Sequence, residues 1–383
     1  MRQLFIEPLD VWLFRDGRPF AAGSDHRAES LFPPFPTTTL GAIRRQELSR
    51  QNISLWDADK IKAAIGEPFA PNADLKGLKL HGPFVALREQ TSGKVIRVYP
   101  QPADSDIEKI GAQYFISPFG KPAELPDGVC SSLPQQKLSL GFERDYEKQD
   151  VSLWVTEENL RGYLKVKGDK VPALRASDLF VREERVSIGM DNGKNTTLSG
   201  ALYEVQFIRP LQGVILPEET EQNNRYDVGL LVEMSANAER YDWSKIAKGI
   251  FQLGGESRAA MYETVQPDPF SNHKEQPWTG QFKVYFATPA YFSGGWEPKG
   301  SQWTELFGGN AELKAAAIGR YITVGGFDLA AVSTSAGAHR ASRRFVPAGS
   351  VYYFQFTNAS LKKSALTELG DEIGLGQIII EEW

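Results

Sequence analysis

Cysteine is almost missing from these 383 residues, Cys130 being the single instance. One thiol excludes a disulfide within the chain and any cysteine-rich zinc site, and it fits a reducing cytoplasm. Histidine is scarce as well: His26, His81, His273 and His339 stand far apart, with no spacing typical of a metal site. No apolar run approaches the ~18 residues of a membrane span, and Met1–Glu7 reads as a strand start rather than a signal peptide. A Walker loop, a G-x-S-x-G elbow and a dinucleotide fingerprint are all absent, so no cofactor is expected. What remains is 41% hydrophobic and 24% charged, ordinary for a soluble globular protein of two or three domains or one large one. The expected location is the cytoplasm, with no membrane partner.

The formal net charge of -5 argues against a free-standing, sequence-indifferent nucleic-acid binder, which needs a basic footprint. The distribution says more than the total. Between Leu329 and Thr367 there is no Asp or Glu, while Arg340, Arg343, Arg344, Lys362 and Lys363 bring five positive charges. From Leu75 to Ala103 five cations (Lys76, Lys79, Arg88, Lys94, Arg97) face one acid, Glu89. Local basic faces on an acidic molecule suit a subunit that holds RNA on one side and meets proteins on another, although solvated charge clusters are common on any surface.

The N-terminal segment is the richest in signals. An alternating run, Leu9, Val11 and Leu13 against Asp10, Trp12 and Phe14, reads as a strand. It meets the polar corner Arg15-Asp16-Gly17-Arg18-Pro19, then a loop crowded with Gly and Pro. Thr37-Thr38-Thr39 then supplies an N-cap for a helix with Leu40, Ile43 and Leu48 on its apolar stripe. Strand, basic loop and helix N-terminus with Arg44 and Arg45 aim N–H groups and arginines at one place, which suits a phosphate.

Later segments add to this. Asp57 caps a short helix containing Ile61, Ala64 and Ile65, and Gly77–Leu87 reads as a strand broken by a turn. Pro100–Pro134 shows few periodic signals, and Asp104-Ser105-Asp106 within it reads as a solvated turn. Val181–Leu211 alternates on both sides of Asn192-Gly193, a hairpin signal with a tip longer than two residues. Val228–Met234, Phe282–Ala287, Ile322–Val324, Val351–Phe356 and Ile378–Ile380 read as strands. Asp242 caps a helix over Trp243–Phe251 that stops at Gly254-Gly255, and a later helix is expected from Asn310 to Ile318. Gly337–Arg344 reads as a mobile basic loop able to track an RNA backbone. The order of elements predicts two α+β units with helices on one face of an antiparallel sheet.

Phe14-Arg15-Asp16-Gly17-Arg18-Pro19-Phe20, Phe32-Pro33-Pro34-Phe35-Pro36 and Gly41-Ala42-Ile43-Arg44 resemble the RAMP superfamily of CRISPR-associated proteins, and above all the subunit-3 family of the type III-B (Cmr) effector. The resemblance extends to Arg185, Ile188, Gly189, Thr197, Gly200, Leu202 and Tyr203 in the hairpin. It also covers Leu253–Arg258, the Arg344–Tyr352 segment and Gly374-Leu375-Gly376.

That resemblance implies tandem ferredoxin-like domains with insertions and a protruding β-hairpin, placed at residues 1–205 (hairpin 181–205) and 206–383. It implies a non-catalytic subunit that holds the 5′ tag of the crRNA near target RNA. The large polymerase/cyclase-like subunit and a backbone RAMP subunit would be its partners. The RNA contacts expected on this basis are Arg15, Arg18, Arg44, Arg45, Arg185, Ile188, Gly189, Met190, Lys194, Gly254, Gly255, Arg258, His339, Arg340, Arg343 and Arg344. Two alternatives stay open. Some RAMP relatives cut repeat RNA without metal, and His26 beside Asp25 would then be the base. A small-molecule enzyme of two α+β domains is the other, for which no motif speaks.

Overall fold

The computed structural model describes residues 2–15, 27–54, 57–65, 77–120, 122–124, 139–140, 151–165, 168–191, 193–218, 224–235, 247–266, 270, 277–327 and 339–383. The fold is α+β, dominated by antiparallel sheets.

The larger sheet has ten strands. At its heart lie β15 (Ala259–Val265), β1 (Arg2–Pro8), β13 (Tyr226–Ser235) and β3 (Lys79–Glu89), in that spatial order and all antiparallel. Numbered along the chain these four are first, second, third and fourth as β1, β3, β13 and β15, so their order across the sheet is 4-1-3-2. This is the split βαβ arrangement of a ferredoxin-like unit. The first crossover carries α1 (Pro36–Arg50) and α2 (Ala58–Ile65). Beyond β15 the sheet adds β14 (Lys248–Gln252); beyond β3 it adds β4 (Val95–Pro100), β9 (Leu153–Thr156), β10 (Val171–Arg175), β6 (Gln113–Pro118) and β5 (Ser105–Ile110).

The second sheet repeats the order. β21 (Ile378–Glu382), β16 (Trp278–Phe286), β20 (Val351–Leu361) and β17 (Phe307–Ala317) again run 4-1-3-2. Its crossovers hold only single 3₁₀ turns at Lys299–Ser301, Trp303–Glu305 and Asp371–Ile373. Each unit carries its large excursion between its second and third strands. In the first unit that excursion includes α3 (Glu157–Leu164), α4 (Ala176–Leu179) and the long hairpin β11 (Phe180–Asp191) and β12 (Thr196–Pro210). The two-residue β2 (Arg27–Ala28) adds to this hairpin, and β7 (Pro122–Ala123) pairs with β8 (Ser139–Leu140). In the second unit the excursion holds the hairpin β18 (Ile322–Phe327) and β19 (His339–Phe345).

Several expectations change. A boundary at 205/206 does not separate the sheets, because β13 and β15 pair with β1 and β3. A ferredoxin-like sheet places its third and fourth strands beside its first, so the first unit has to close after residue 265. The threonines do not cap α1. Phe35 is its N-cap with no side-chain bond, and Pro36 opens the helix, where a missing N–H costs nothing. Asp57 does cap α2, accepting from the Lys60 N–H at 3.1 Å. Lys248–Gln252 and Phe307–Ala317 are strands where helices were expected, since pairing with β15 and β20 overrides local helical spacing; residues 242–246 lie outside the described set. Residues 9–14 form no strand, and Trp12 makes only an isolated bridge to Ile208. The stretch after Pro100 contains the β5–β6 hairpin.

Asp104 is no solvated turn. It is fully buried and accepts hydrogen bonds from Tyr163 (2.8 Å) and Tyr353. Tyr353 belongs to the second unit, so this carboxylate joins the two units. Tyr285 adds a bond to the Pro100 carbonyl at 2.6 Å. Burial, followed by the Asp104 charge, pushes the Tyr163 and Tyr353 phenols well up. Both stay protonated donors, as the two bonds require.

Candidate nucleic-acid interface

Where the chain leaves β1 it packs against the base of the β11–β12 hairpin. The backbones of Trp12 and Ile208 exchange two bonds of 2.8 Å, and Ser30 donates to the Gln206 carbonyl at 2.6 Å. Arg182 reaches the Ser30 carbonyl (2.8 Å) and the Gln206 side chain (2.7 Å). The two stems of the basic loop are thereby fixed, although Arg18 and His26 themselves lie outside the described residues.

The β14–β15 turn closes on the same segment. Gly254 has φ +95°, and a Cβ there would stand 2.4 Å from the Leu13 carbonyl oxygen. The Gly255 N–H donates to that oxygen at 2.7 Å. These glycines therefore serve close packing of a strand turn, not a helix C-cap, and the Gly255 N–H is already engaged within the protein.

Between this turn, α1 and Leu13–Arg15 lies a polar cleft of about 310 Å³. Arg15 enters from one wall, Thr38, Gly41 and Arg45 from the helix, and Gln252, Gly254 and Ser257 from the turn. Arg15 and Arg45 are both exposed. The cleft runs beside the first turns of α1 and not off its end, so the guanidinium groups, rather than helix-end N–H groups, are what it offers an anion. Arg44 points the other way and is 9% exposed among the packing residues of α1. Sequence reading missed Thr38, Gly41, Gln252 and Ser257. The helical spacing of 38, 41 and 45 was the available signal, since it puts those positions on one face.

Arg185 and Arg258 form a different group. Both guanidinium groups stack on Phe207, at 5.0 and 4.7 Å from its ring, and both pair with Asp10 at 3.3 and 3.2 Å. Arg185 also holds Glu183 (2.7 Å), and Arg258 holds Glu256 (3.4 Å). Glu183 first, then Asp10, hold the Arg185 guanidinium above its ordinary value. This arrangement clamps the hairpin base to the β14–β15 turn.

Along the hairpin, Val186, Ile188 and Met190 lie exposed at alternate positions of β11, and Leu202 faces Ile188 across the ladder. The ladder runs to Asp191–Thr196, further than expected, and Asp191 accepts from the Gly193 N–H at 2.9 Å at the tip. A Cβ at Gly189 would stand 2.8 Å from that of Ala201, which explains the glycine. Lys194 is exposed beside Asp191.

The basic segment expected to be a loop is the strand β19. His339 and Arg340 pair in register with Phe327 and Gly326. Arg343 and Arg344 occupy opposite faces: Arg343 lies over Tyr291 (5.7 Å) and Arg344 over Tyr321 (4.7 Å). Among the described residues no carboxylate pairs with either. No group of three or more His, Cys, Asp or Glu is placed to hold a metal among those residues. No helix among them is long and apolar enough to cross a membrane.

Two ferredoxin-like units carry their excursions at equivalent positions, and Arg15 and Arg45 line a cleft within the first, between α1 and the β14–β15 turn. The family described as CRISPR-associated protein (Cas_Cmr3) matches residues 4–383, and the chain belongs to it. It is a Cmr3-type CRISPR-associated protein. Chains in two solved structures are similar at 15% identity, covering 92% of this chain and 86% of each of theirs. One is the Type III-B Cmr-beta bound to cognate target RNA (TM-score 0.43), the other the same with AMPPnP in state 1 (0.45). None of the curated proteins matches.

Proposed function

We propose that this chain is a non-catalytic RNA-holding subunit of a type III-B effector. It grips the 5′ tag of the crRNA, docks the large polymerase/cyclase-like subunit, and meets a backbone RAMP subunit on its other flank. The observation that carries the reading is the polar cleft, which Arg15 and Arg45 line together with Gly41, Gly254 and Gly255. Phosphates are met there as charge-assisted bonds, which position RNA without reading its sequence. The β11–β12 hairpin, clamped at its base through Asp10, marks the junction between tag and guide. With a net charge of -5 the lone protein binds RNA poorly, and partner subunits complete the groove.

The test compares wild type with an Arg15→Ala/Arg45→Ala variant, each purified through a tag on the chain together with its partners. The variant retains less RNA, and its retention depends less steeply on salt, by roughly 0.7 in log–log slope per lost contact. Equal retention at every salt concentration overturns the cleft as the grip. Specific cutting of repeat RNA that disappears in His26→Ala would select the endoribonuclease instead.

A further inference from the structure

Tyr321 is half exposed, at 50%, immediately before β18. Its ring carries the Arg344 guanidinium 4.7 Å from its centre. The register explains the contact: Arg344 stands opposite Thr323, and Tyr321 is two residues along on the same face. Arg320 is exposed next to it. Leu313–Phe327 and Leu329–Thr367 contain no Asp or Glu, Asp328 being the one acid between them.

A guanidinium stacked on an exposed tyrosine and unpaired with any described carboxylate differs from the Arg185 and Arg258 arrangement. Those two are neutralised by Asp10, Glu183 and Glu256. Among the described residues Arg344 has no such partner, and it is exposed. The opposite face of the ribbon docks at the start of α1, the helix that forms one wall of the cleft: Phe345 meets Phe35 edge-on at 4.7 Å, and Phe35 is the N-cap of α1.

We propose that Tyr321 and Arg344 form a stacking platform for one unpaired nucleobase of the RNA whose phosphates occupy the cleft, with Arg320 beside the adjoining phosphate. The proposal rests on the RNA-holding reading above. Every base offers a π-face, so a tyrosine–arginine plane takes bases with little sequence preference. The acid-poor surroundings favour a polyanion, and the planar pair favours one that carries bases.

The experiment is ultraviolet cross-linking in the complex purified through the tagged chain, followed by mass spectrometry of tryptic fragments. The fragment Tyr321–Arg340 carries a nucleotide adduct in the wild type. In Tyr321→Ala the adduct disappears and RNA retention under a salt challenge falls about tenfold, as loss of one stacked base entails. Tyr321→Trp keeps both the adduct and the retention, which a merely structural role would not produce. RNA that cross-links elsewhere, with Tyr321→Ala retaining it fully, overturns the platform and leaves the RNA-holding reading standing. Loss of partner subunits from Tyr321→Ala with RNA still bound overturns it in favour of a protein contact. No RNA in the wild-type complex overturns both.

Discussion

The two ferredoxin-like units share a strand order of 4-1-3-2 but are held together by different means. The first is organised around a buried ion pair. Glu233 on β13 and Arg97 on β4 are 1% and 4% exposed and bonded to each other. Glu233 also accepts from Gln3 (3.3 Å) and from the Phe270 N–H (2.8 Å), and Arg97 reaches Glu157 (3.2 Å). The second unit is centred on rings. Its core is aromatic: Trp303 packs on Phe292, Tyr352 and Phe354 at 5.4, 6.0 and 4.9 Å. The difference follows from what each must cover. In the first unit α1 and α3 lie over the sheet, and α3 begins at Glu157, which holds Arg97. In the second, where the crossovers are single 3₁₀ turns, large rings fill the volume that helices would otherwise occupy.

The largest effect is therefore expected in the aromatic core. Trp303→Ala removes a 3%-exposed indole and costs about 4 kcal/mol, read from the midpoint of chemical denaturation. A loss below about 1 kcal/mol would mean that the rings are interchangeable filler.

Glu233→Ala comes next, at about 3 kcal/mol, because it takes a carboxylate away from a buried guanidinium. The comparison sharpens with the pair Arg97→Met/Glu233→Leu. If the first unit needs the ion pair only because each charge needs the other, the double variant recovers most of the loss. A double variant as weak as the single one would show that the bond to the Phe270 N–H, which anchors the chain on its way to the second unit, is the essential part.

At the junction the expected effect is smaller still. Tyr353→Phe removes one of the two hydroxyls on Asp104 and leaves Tyr163, costing about 1–2 kcal/mol. Because Asp104 and Tyr353 come from different units, this loss should appear as uncoupling of two unfolding transitions. A single unchanged transition would argue that the packing of Tyr99, Tyr285 and Val351 suffices to join them.

How much of this was legible in the sequence depends on whether a feature is local. The strands Val228–Met234, Val351–Phe356 and Ile378–Ile380 were read correctly, because their apolar runs are buried on both faces. The β11–β12 hairpin was legible from alternation around Asn192-Gly193. Helices were misread at Lys248–Phe251 and Asn310–Ile318, where an apolar spacing compatible with a helix yields to a partner strand far away in sequence. The domain boundary failed for the same reason: β13 belongs beside β1 although more than two hundred residues separate them. Within the interface, Arg15 and Arg45 were named together and the cleft brings them together. Arg44 was named too, but helical phase turns it inward, and the clamp on Phe207 depends on Asp10, which carries no motif.

The smallest expected effect falls on the hairpin, and it tests function by the lack of a stability change. Val186 is 69% exposed and Ile188 48%. Exposed positions away from caps and cores change stability by no more than about 0.5 kcal/mol when substituted. Val186→Ser/Ile188→Ser should therefore unfold at the wild-type denaturant concentration. The backbone ladder from Phe180 to Asp191 is unaffected, and the clamp at Asp10 and Phe207 lies nearer its base. If this apolar stripe presses against RNA at the junction of tag and guide, the same variant loses RNA register without losing stability. Sequencing of the retained guides would show ragged 5′ ends. A variant that unfolds early would place these side chains in a core, and one with normal guide ends would remove the hairpin from the RNA path.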